Sequence, residues 1–234
     1  MEEKIDSLGI LMKGMDEYLN HAESGLMLVK MNETFSMDGA SNLESIRIAI
    51  YNMRRTLAIM GILQTKDAHY TGTEKYCNLA DFLQKVIMEV KRVSNNSIEK
   101  FDFTDESFEP YLVFDLEKMQ ILVYNIVRYL ILGSPEKKSK IKLTLFENEK
   151  NFIMEFRGTN PVSEGLTDID SFMFSATDKI TDVMGFIYNF RALKNTTKCT
   201  VKIPKLKQKY IPSNEEVGAA YVDNKLAEIF FADL

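Results

Sequence analysis

The sequence predicts an α+β protein in which an N-terminal antiparallel helical hairpin precedes an α/β sandwich. Two observations favour the hairpin: apolar residues recur at alternating spacings of three and four over residues 5–29, and again over residues 43–60. A third observation favours the sandwich, because segments of helical periodicity and segments of strand-like alternation follow one another from residue 79. We expect a hairpin domain over residues 1–68 and the sandwich over residues 76–234.

The overall composition excludes several classes of function. The chain of 234 residues is 45% hydrophobic and carries a formal net charge of −5, which argues against a protein that binds nucleic acid by neutralising phosphates. Cys77 and Cys199 lie far apart and match no metal-ligand spacing, so we expect neither a structural disulfide nor a zinc site. The N-terminus has no signal-peptide pattern, and no segment approaches the roughly 20 apolar residues of a membrane span. We therefore expect a cytoplasmic protein that binds neither nucleic acid nor a membrane.

The two apolar series of the N-terminal part predict two helices of similar length. Their members are Ile5, Leu8, Met12, Met15, Leu19, Ala22, Leu26 and Val29, and then Leu43, Ile46, Ile50, Met53, Leu57 and Met60. A connection around residues 36–42 joins them. Because two helices bury only the stripe along which they touch, we expect a homodimer in which two hairpins form a four-helix bundle. His21 lies off the first series and should be exposed on the outside of this bundle.

Caps and turns divide the remaining sequence into helices and strands. The expected elements are a helix from an Asn78 cap to Ser94, strands at 98–103 and 111–114, a buried helix capped by Asp115, a strand hairpin at 141–145 and 152–156, a helical region at 168–193, and a strand at 199–203. The polar residues 66–75 should form the linker that precedes them. Residues 213–216 have the spacing of a capping box, so a C-terminal helix should begin there and dock on its own domain.

This order of elements after an exposed histidine resembles the cytoplasmic core of sensor histidine kinases. In that family, a dimerisation and histidine-phosphotransfer hairpin is joined to an ATP-binding domain. The most specific match is residues 113–127, which look like the stretch leading into the kinase N box, where a strand ends at an Asp and the next helix carries an Asn. Here these two residues are Asp115 and Asn125. The resemblance implies a histidine-kinase-ATPase-like α/β sandwich.

Three positions depart from the nucleotide-binding residues of this family. The second Asn of the N box, which the family needs to hold magnesium, is Tyr129 here. The Asp that reads the adenine amino group is replaced by Gly158, and the glycine-rich phosphate loop is reduced to Gly185. The resemblance therefore implies a degenerate ATPase-like domain without a cofactor, for which magnesium comes only from a partner.

A core of this kind without nucleotide resembles the histidine phosphotransferases of phosphorelays. Such a protein accepts a phosphoryl group on its hairpin histidine from one receiver-domain aspartate and passes it to another. The resemblance implies that His21 is the catalytic residue and that response-regulator receiver domains are the partners. Kinases of the family usually place an acid directly after this histidine, but Ala22 follows here and Glu23 is the nearest acid, which argues against autophosphorylation. The other histidine, His69, falls in the linker and is a weaker candidate.

Charged side chains of the hairpin are candidates for binding the acidic pocket of a receiver domain. These partner-binding candidates are Glu23, Lys30, Arg54 and Arg55, and ordinary surface charge is the alternative for each. Two other functions stay open. One is a pseudo-histidine-kinase adaptor that binds a signalling partner without phosphotransfer. The other is an active ATP-dependent histidine kinase with divergent boxes, against which Tyr129 argues.

Overall fold

A computed structural model of the chain describes residues 2–32, 37–64, 74–94, 97–132, 138–158, 168–205, 220–232 and 234. The chain divides into two compact units, Met1–Thr65 and Lys66–Ala232. The first contains helices α1 (Glu2–Asn32) and α2 (Met37–Gln64). The second contains β1 (Glu74–Asn78), α3 (Leu79–Val93), β2 (Ile98–Asp105), β3 (Tyr111–Asp115), α4 (Leu116–Leu132), β4 (Ser139–Glu147), β5 (Asn151–Gly158), α5 (Asp168–Val183), β6 (Ile187–Ala192), β7 (Thr197–Pro204) and α6 (Asn224–Phe231). No helix in these described ranges is long and apolar enough to cross a membrane.

The helices α1 and α2 run in opposite directions. Glu23, in the C-terminal half of α1, forms an ion pair with Arg54 of α2 at 2.8 Å. Lys30, close to the end of α1, lies 3.7 Å from Glu44, which precedes Arg54 by almost three turns of α2. Residues later in α1 therefore pair with residues earlier in α2, as in two antiparallel helices.

The helix α2 begins earlier than the sequence predicted. Its first residue is Met37, which lies inside the expected connection of residues 36–42, and Gly39 is part of the helix. Asp38 lies in the first turn, where a carboxylate is favourable because it meets the positive end of the helix dipole. The connection is consequently shorter than expected.

Alternate members of the two predicted apolar series differ in exposure. Leu19 and Leu26 of α1 and Ile50 of α2 are buried, and none is more than 8% exposed. The members between them are exposed over 40% to 50% of their surface, namely Met15, Val29, Ile46 and Met53. Leu19, Leu26 and Ile50 are thus buried, and the four exposed side chains form an apolar surface. Met12, Leu43, Leu57 and Met60 are half-buried.

The second unit is built on a five-stranded sheet with the strand order β2-β4-β5-β7-β6, and β1 and β3 form a separate antiparallel pair. The strands β2 and β4 are parallel, and the other neighbours in the large sheet are antiparallel. One face carries the core, where Leu143, Met154, Phe156 and Val201 are fully buried. The helix α4 is buried around almost its whole circumference, which confirms the prediction of a heavily buried helix.

Local capping signals in this unit were predicted correctly. The side chain of Asn78 accepts a hydrogen bond from the backbone N–H of Asp81 at 3.1 Å, and α3 ends at Ser94. The carboxylate of Asp115 accepts the backbone N–H of Lys118 at 3.0 Å at the start of α4. Each cap satisfies an N–H group that has no partner within its own helix.

Two strands were not expected. The strand β1 begins in the last two residues of the predicted linker, 66–75, and its backbone hydrogen bonds are made with β3. The predicted helical region at 168–193 is wrong beyond Val183, because Gly185 adopts a φ of +69° and ends α5. The backbone N–H of Phe186 then bonds to the carbonyl of Thr181 at 2.8 Å, as in a Schellman motif, and the chain continues into β6.

The helix α6 docks on α3 and α4 of its own unit, as the sequence favoured. It is capped by Asp223, whereas the predicted capping box at 213–216 lies outside the described residues. Phe230 and Phe231 are fully buried, and Arg128 of α4 donates a hydrogen bond to the carbonyl of Phe230 at 2.6 Å.

Candidate functional site

His21 lies on an exposed face of α1. Among the described residues, no hydrogen bond or ion pair to the imidazole is found, so the ring is free to meet another protein. Ala22, which follows it, is also exposed. The second histidine, His69, lies outside the described residues.

The structure places the two arginines predicted to bind a partner in the interior. Arg54 is only 3% exposed, and its guanidinium donates to Glu23 at 2.8 Å and to the side-chain oxygen of Asn20 at 2.7 Å. Arg55 is fully buried and donates to the side chain of Asn52. A buried guanidinium held by such partners is not displayed at a surface, so the expected exposure of Arg54 and Arg55 is wrong.

The two other candidates differ from each other in their surroundings. The side chain of Glu23 is 19% exposed and is occupied by Arg54. The side chain of Lys30 is 44% exposed and lies 3.7 Å from the carboxylate of Glu44. Exposed ion pairs of this length are weak, so Lys30 can readily exchange this contact for another.

Asn125, the asparagine of the N-box-like stretch, holds α4 against α5. It is 3% exposed, and its side-chain amide nitrogen donates to the carbonyl of Met173 at 2.6 Å and to the hydroxyl of Thr177 at 2.8 Å. Both acceptors belong to α5. The amide group therefore makes structural contacts in the protein interior.

Tyr129 lies one turn after Asn125 and belongs to an aromatic cluster, which we define as Tyr129, Phe174, Tyr188 and Phe190. The rings of Tyr129 and Phe174 are stacked, with centroids 3.4 Å apart and an interplanar angle of 14°. Phe190 meets both rings edge-on, at 5.6 Å from Tyr129 and 5.0 Å from Phe174. Burial raises the pKa of Tyr129, so the phenol stays neutral and is a poor ligand for a cation.

Two glycines of the nucleotide-like region have structural explanations. A Cβ atom added to Gly158 would lie 3.2 Å from the Cδ2 atom of Leu130, so glycine at this position allows β5 to approach α4 closely. Gly185 has open space around it, and its positive φ serves the end of α5. Neither glycine requires a bound phosphate to explain it.

Similar folds occur in solved histidine kinase structures. Full-length ShkA in complex with AMPPNP matches with a TM-score of 0.64 and 14% sequence identity, over 85% of this chain and 45% of that one. The Acinetobacter baumannii histidine kinase AdeS matches with a TM-score of 0.54 and 11% identity, over 82% of this chain and 95% of that one. The chain has a histidine-kinase-like core. At these identities the similarity establishes the fold alone, and no protein-family model or curated protein matches the sequence.

A histidine-kinase-like core implies a site for ATP and magnesium, and the residues found here do not fit those ligands. Magnesium binds the side-chain oxygen of an asparagine, but Asn125 is only 3% exposed and its amide group is held against α5. The position of the second magnesium ligand is filled by Tyr129 in a ring stack. Gly158 offers no carboxylate to an adenine amino group. Within the described part of the chain, no group of three or more His, Cys, Asp or Glu side chains could hold a metal ion.

Sequence reasoning singled out Asn125 and Tyr129 but missed the residues that hold them. Thr177 and Phe174 come from α5, and Phe190 comes from a strand that was predicted as helix. The available signal was the alternation of Tyr188 and Phe190 with Asn189 and Arg191, because it has the period of a strand.

Proposed function

We propose that this chain is a histidine-kinase-like protein that does not bind ATP, and that it carries phosphoryl groups on His21 between receiver-domain aspartates. The aromatic cluster is the observation that carries the first half of this proposal. Its packed rings include Tyr129, which corresponds by resemblance to a magnesium ligand of histidine kinases, and Asn125 joins α4 to α5; both observations support the proposal. The fold is kept while its nucleotide chemistry is lost.

The transfer needs little from the carrier. One nitrogen of the imidazole attacks the phosphorus of the receiver's aspartyl phosphate in line, an N–P bond forms, and the P–O bond to the aspartate breaks, which releases the carboxylate. The receiver supplies the magnesium ion. The exposed position of His21 in the middle of a long helix supports this role, because a receiver domain must approach the ring directly.

We further propose that the carrier is a homodimer in which two hairpins form a four-helix bundle. Four large exposed members of the two apolar series support this assembly, because a monomer leaves these side chains in water; they are Met15, Val29, Ile46 and Met53. Light scattering should give the dimer mass at micromolar concentration, and Met53→Asp should shift it toward the monomer. A monomeric wild-type protein would contradict this part of the proposal.

One observation favours a second candidate function, an adaptor that binds a signalling partner without phosphotransfer. Arg54 and Arg55, the cations expected to meet a receiver beside His21, are buried. A protein that has lost such contacts can retain its fold as a binding surface alone. The adaptor and the carrier make opposite predictions for the phosphorylation of His21.

Incubation with phosphorylated receiver domains separates these candidates. Wild-type protein, His21→Ala and His69→Ala are each mixed with the receivers, and phosphate that is labile in acid and stable in base is then measured on this chain. The carrier predicts label on wild type and on His69→Ala, and none on His21→Ala. Equal label on His21→Ala, or no label from any receiver, would favour the adaptor. Label from ATP alone would instead indicate an active kinase.

A further inference from the structure

The face of the five-stranded sheet opposite the core is unusually basic. On each strand, alternate residues point away from the core. The charged side chains on this outer sheet face are Lys100, Asp102, Lys140, Lys142, Glu155, Arg157, Arg191, Lys198 and Lys202. These are seven cations and two carboxylates, and Glu99 at the bulge of β2 adds a third carboxylate, which pairs with Lys140 at 2.8 Å. The whole chain, in contrast, has a net charge of −5. Positive charge is therefore concentrated on one surface.

Four of these cations lie directly opposite one another on neighbouring strands. Lys142 of β4 pairs with Arg157 of β5, Arg157 pairs with Lys198 of β7, and Lys198 pairs with Arg191 of β6. We call these four residues the cationic row. Because neighbouring strands are about 4.8 Å apart, the row spans roughly 14 Å.

Like charges in direct cross-strand register destabilise a sheet, so the row is not explained by folding. Glu155 is the carboxylate that compensates it, with ion pairs to Arg157 at 2.5 Å and to Lys198. Burial of Glu155 opposes its ionisation, but the hydrogen bonds from Lys198 and Arg157 outweigh this effect and lower its pKa. One carboxylate thus orients two of the four cations.

The two outer members of the row, Lys142 and Arg191, remain available. Asp102 of β2 lies directly opposite Lys142, but its ion pair is with Lys100 at 2.6 Å. Lys142 and Arg191 are both exposed, and among the described residues neither forms an ion pair. Arg157 also keeps 59% of its side chain exposed while it pairs with Glu155. The row therefore presents a net positive charge to an incoming anion, with its middle held in place.

We propose that the cationic row binds an acidic helix of another protein. Carboxylates at positions i, i+4 and i+7 of a helix lie about 5–6 Å apart along one face, which is close to the spacing of the row. Single-stranded nucleic acid is a poorer match, because its binding grooves combine cations with exposed aromatic rings. The outward positions of the described strands offer only the half-buried Phe146 as an aromatic ring. The remainder of this acidic chain would also repel an extended polyanion.

The test uses the full chain and a fluorescein-labelled helical peptide with Glu at i, i+4, i+7 and i+11 in an Ala/Gln background. A second peptide carries Gln at those four positions. Binding is measured by fluorescence anisotropy at low salt and again at about 0.15 M salt, where the Debye length falls to about 8 Å. We expect the Glu peptide to bind, the Gln peptide not to bind, and salt to weaken the binding.

Two charge-reversed proteins locate the site. Lys142→Glu with Arg191→Glu removes the exposed ends of the row. Lys75→Glu with Lys179→Glu changes the net charge equally on exposed positions of β1 and α5. The first pair should weaken binding at least tenfold, and the second should leave it within about twofold. Circular dichroism checks that each variant is folded. If charge reversal unfolds the protein, Lys142→Gln with Arg191→Gln is used as the test variant instead.

Several results would overturn this proposal. The proposal is wrong if wild-type protein does not bind the Glu peptide. It is also wrong if the two charge-reversed pairs weaken binding equally. Tighter binding of a single-stranded oligonucleotide, or of vesicles containing phosphatidylserine, that is lost only in the row variant would replace the acidic helix by that ligand. None of these results depends on the phosphorylation of His21, so they leave the proposed carrier function to its own test.

Discussion

Replacement of Asn125 tests whether this side chain is a structural link or a remnant of a metal site. Asn125→Ala removes the donor that reaches the carbonyl of Met173 at 2.6 Å and the hydroxyl of Thr177 at 2.8 Å. At about 1 kcal/mol for each hydrogen bond, the free energy of unfolding should fall by about 2 kcal/mol. Asn125→Asp should cost at least as much, because it places an oxygen where the amide nitrogen now faces a backbone carbonyl.

Urea unfolding followed by tyrosine fluorescence measures this loss, since the chain has ten tyrosines and no tryptophan. Thermal unfolding should show a Tm lower by about 4–8 °C for a protein of this size. Asn189→Ala, at an exposed position of β6, is the matched control and should stay within about 0.5 kcal/mol of wild type. The reasoning fails if Asn125→Asp is as stable as wild type. It also fails if Mg-ATP raises the Tm of wild type but not of the Asn125 variants.

Three further predictions concern other buried groups. Tyr129→Asn restores the residue type of the kinases, but calorimetry should still detect no heat of Mg-ATP binding. Loss of the ring stack should lower the free energy of unfolding by about 1–3 kcal/mol. Nucleotide binding by this variant would refute the prediction. Burial raises the pKa of Cys77 to about 11 and that of Cys199 to about 12, so at pH 8 both thiols should react with a disulfide reagent far more slowly than in the unfolded chain, and equal rates would contradict this. Arg54→Met should lower the free energy of unfolding by about 1–3 kcal/mol because Glu23 loses its partner, and adding Glu23→Gln should recover part of the loss. If urea unfolding shows that the losses of the two single variants simply add, Arg54 and Glu23 are not coupled.

The parts of the fold that could be predicted are those with local causes. The caps at Asn78 and Asp115 satisfy N–H groups three residues away, so their signal is contained in a few positions of the sequence. The strand β1 was not predicted because it is short and its partner β3 is distant in the chain. The strand β6 was not predicted although its partner β7 follows directly in the sequence, because its residues were assigned to the preceding helix. The helical prediction overran α5 because the positive φ that ends it at Gly185 belongs to a single glycine.

The candidate site, like the fold, could be predicted only in part. The residue identities at Tyr129 and Gly158 predict a defective nucleotide site from the sequence alone, and this stays a prediction. The hydrogen bonds of Asn125 could not be predicted, since its acceptors are 48 and 52 residues away in α5. The burial of Arg54 was also missed, because an arginine on a predicted helix surface gives no sign of the carboxylate that meets it.

The packing of α4 explains how such a core can be stable without nucleotide. A protein that binds ATP gains stability in proportion to the logarithm of the ligand concentration, and it loses that gain when the ligand leaves. Here the polar side chains of α4 are satisfied from within, with Arg128 bound to α6, Asn125 bound to α5, and Tyr129 stacked on Phe174. These contacts do not depend on any ligand concentration. If the proposals above hold, a signal reaches this protein at its surface, through His21 or through the cationic row.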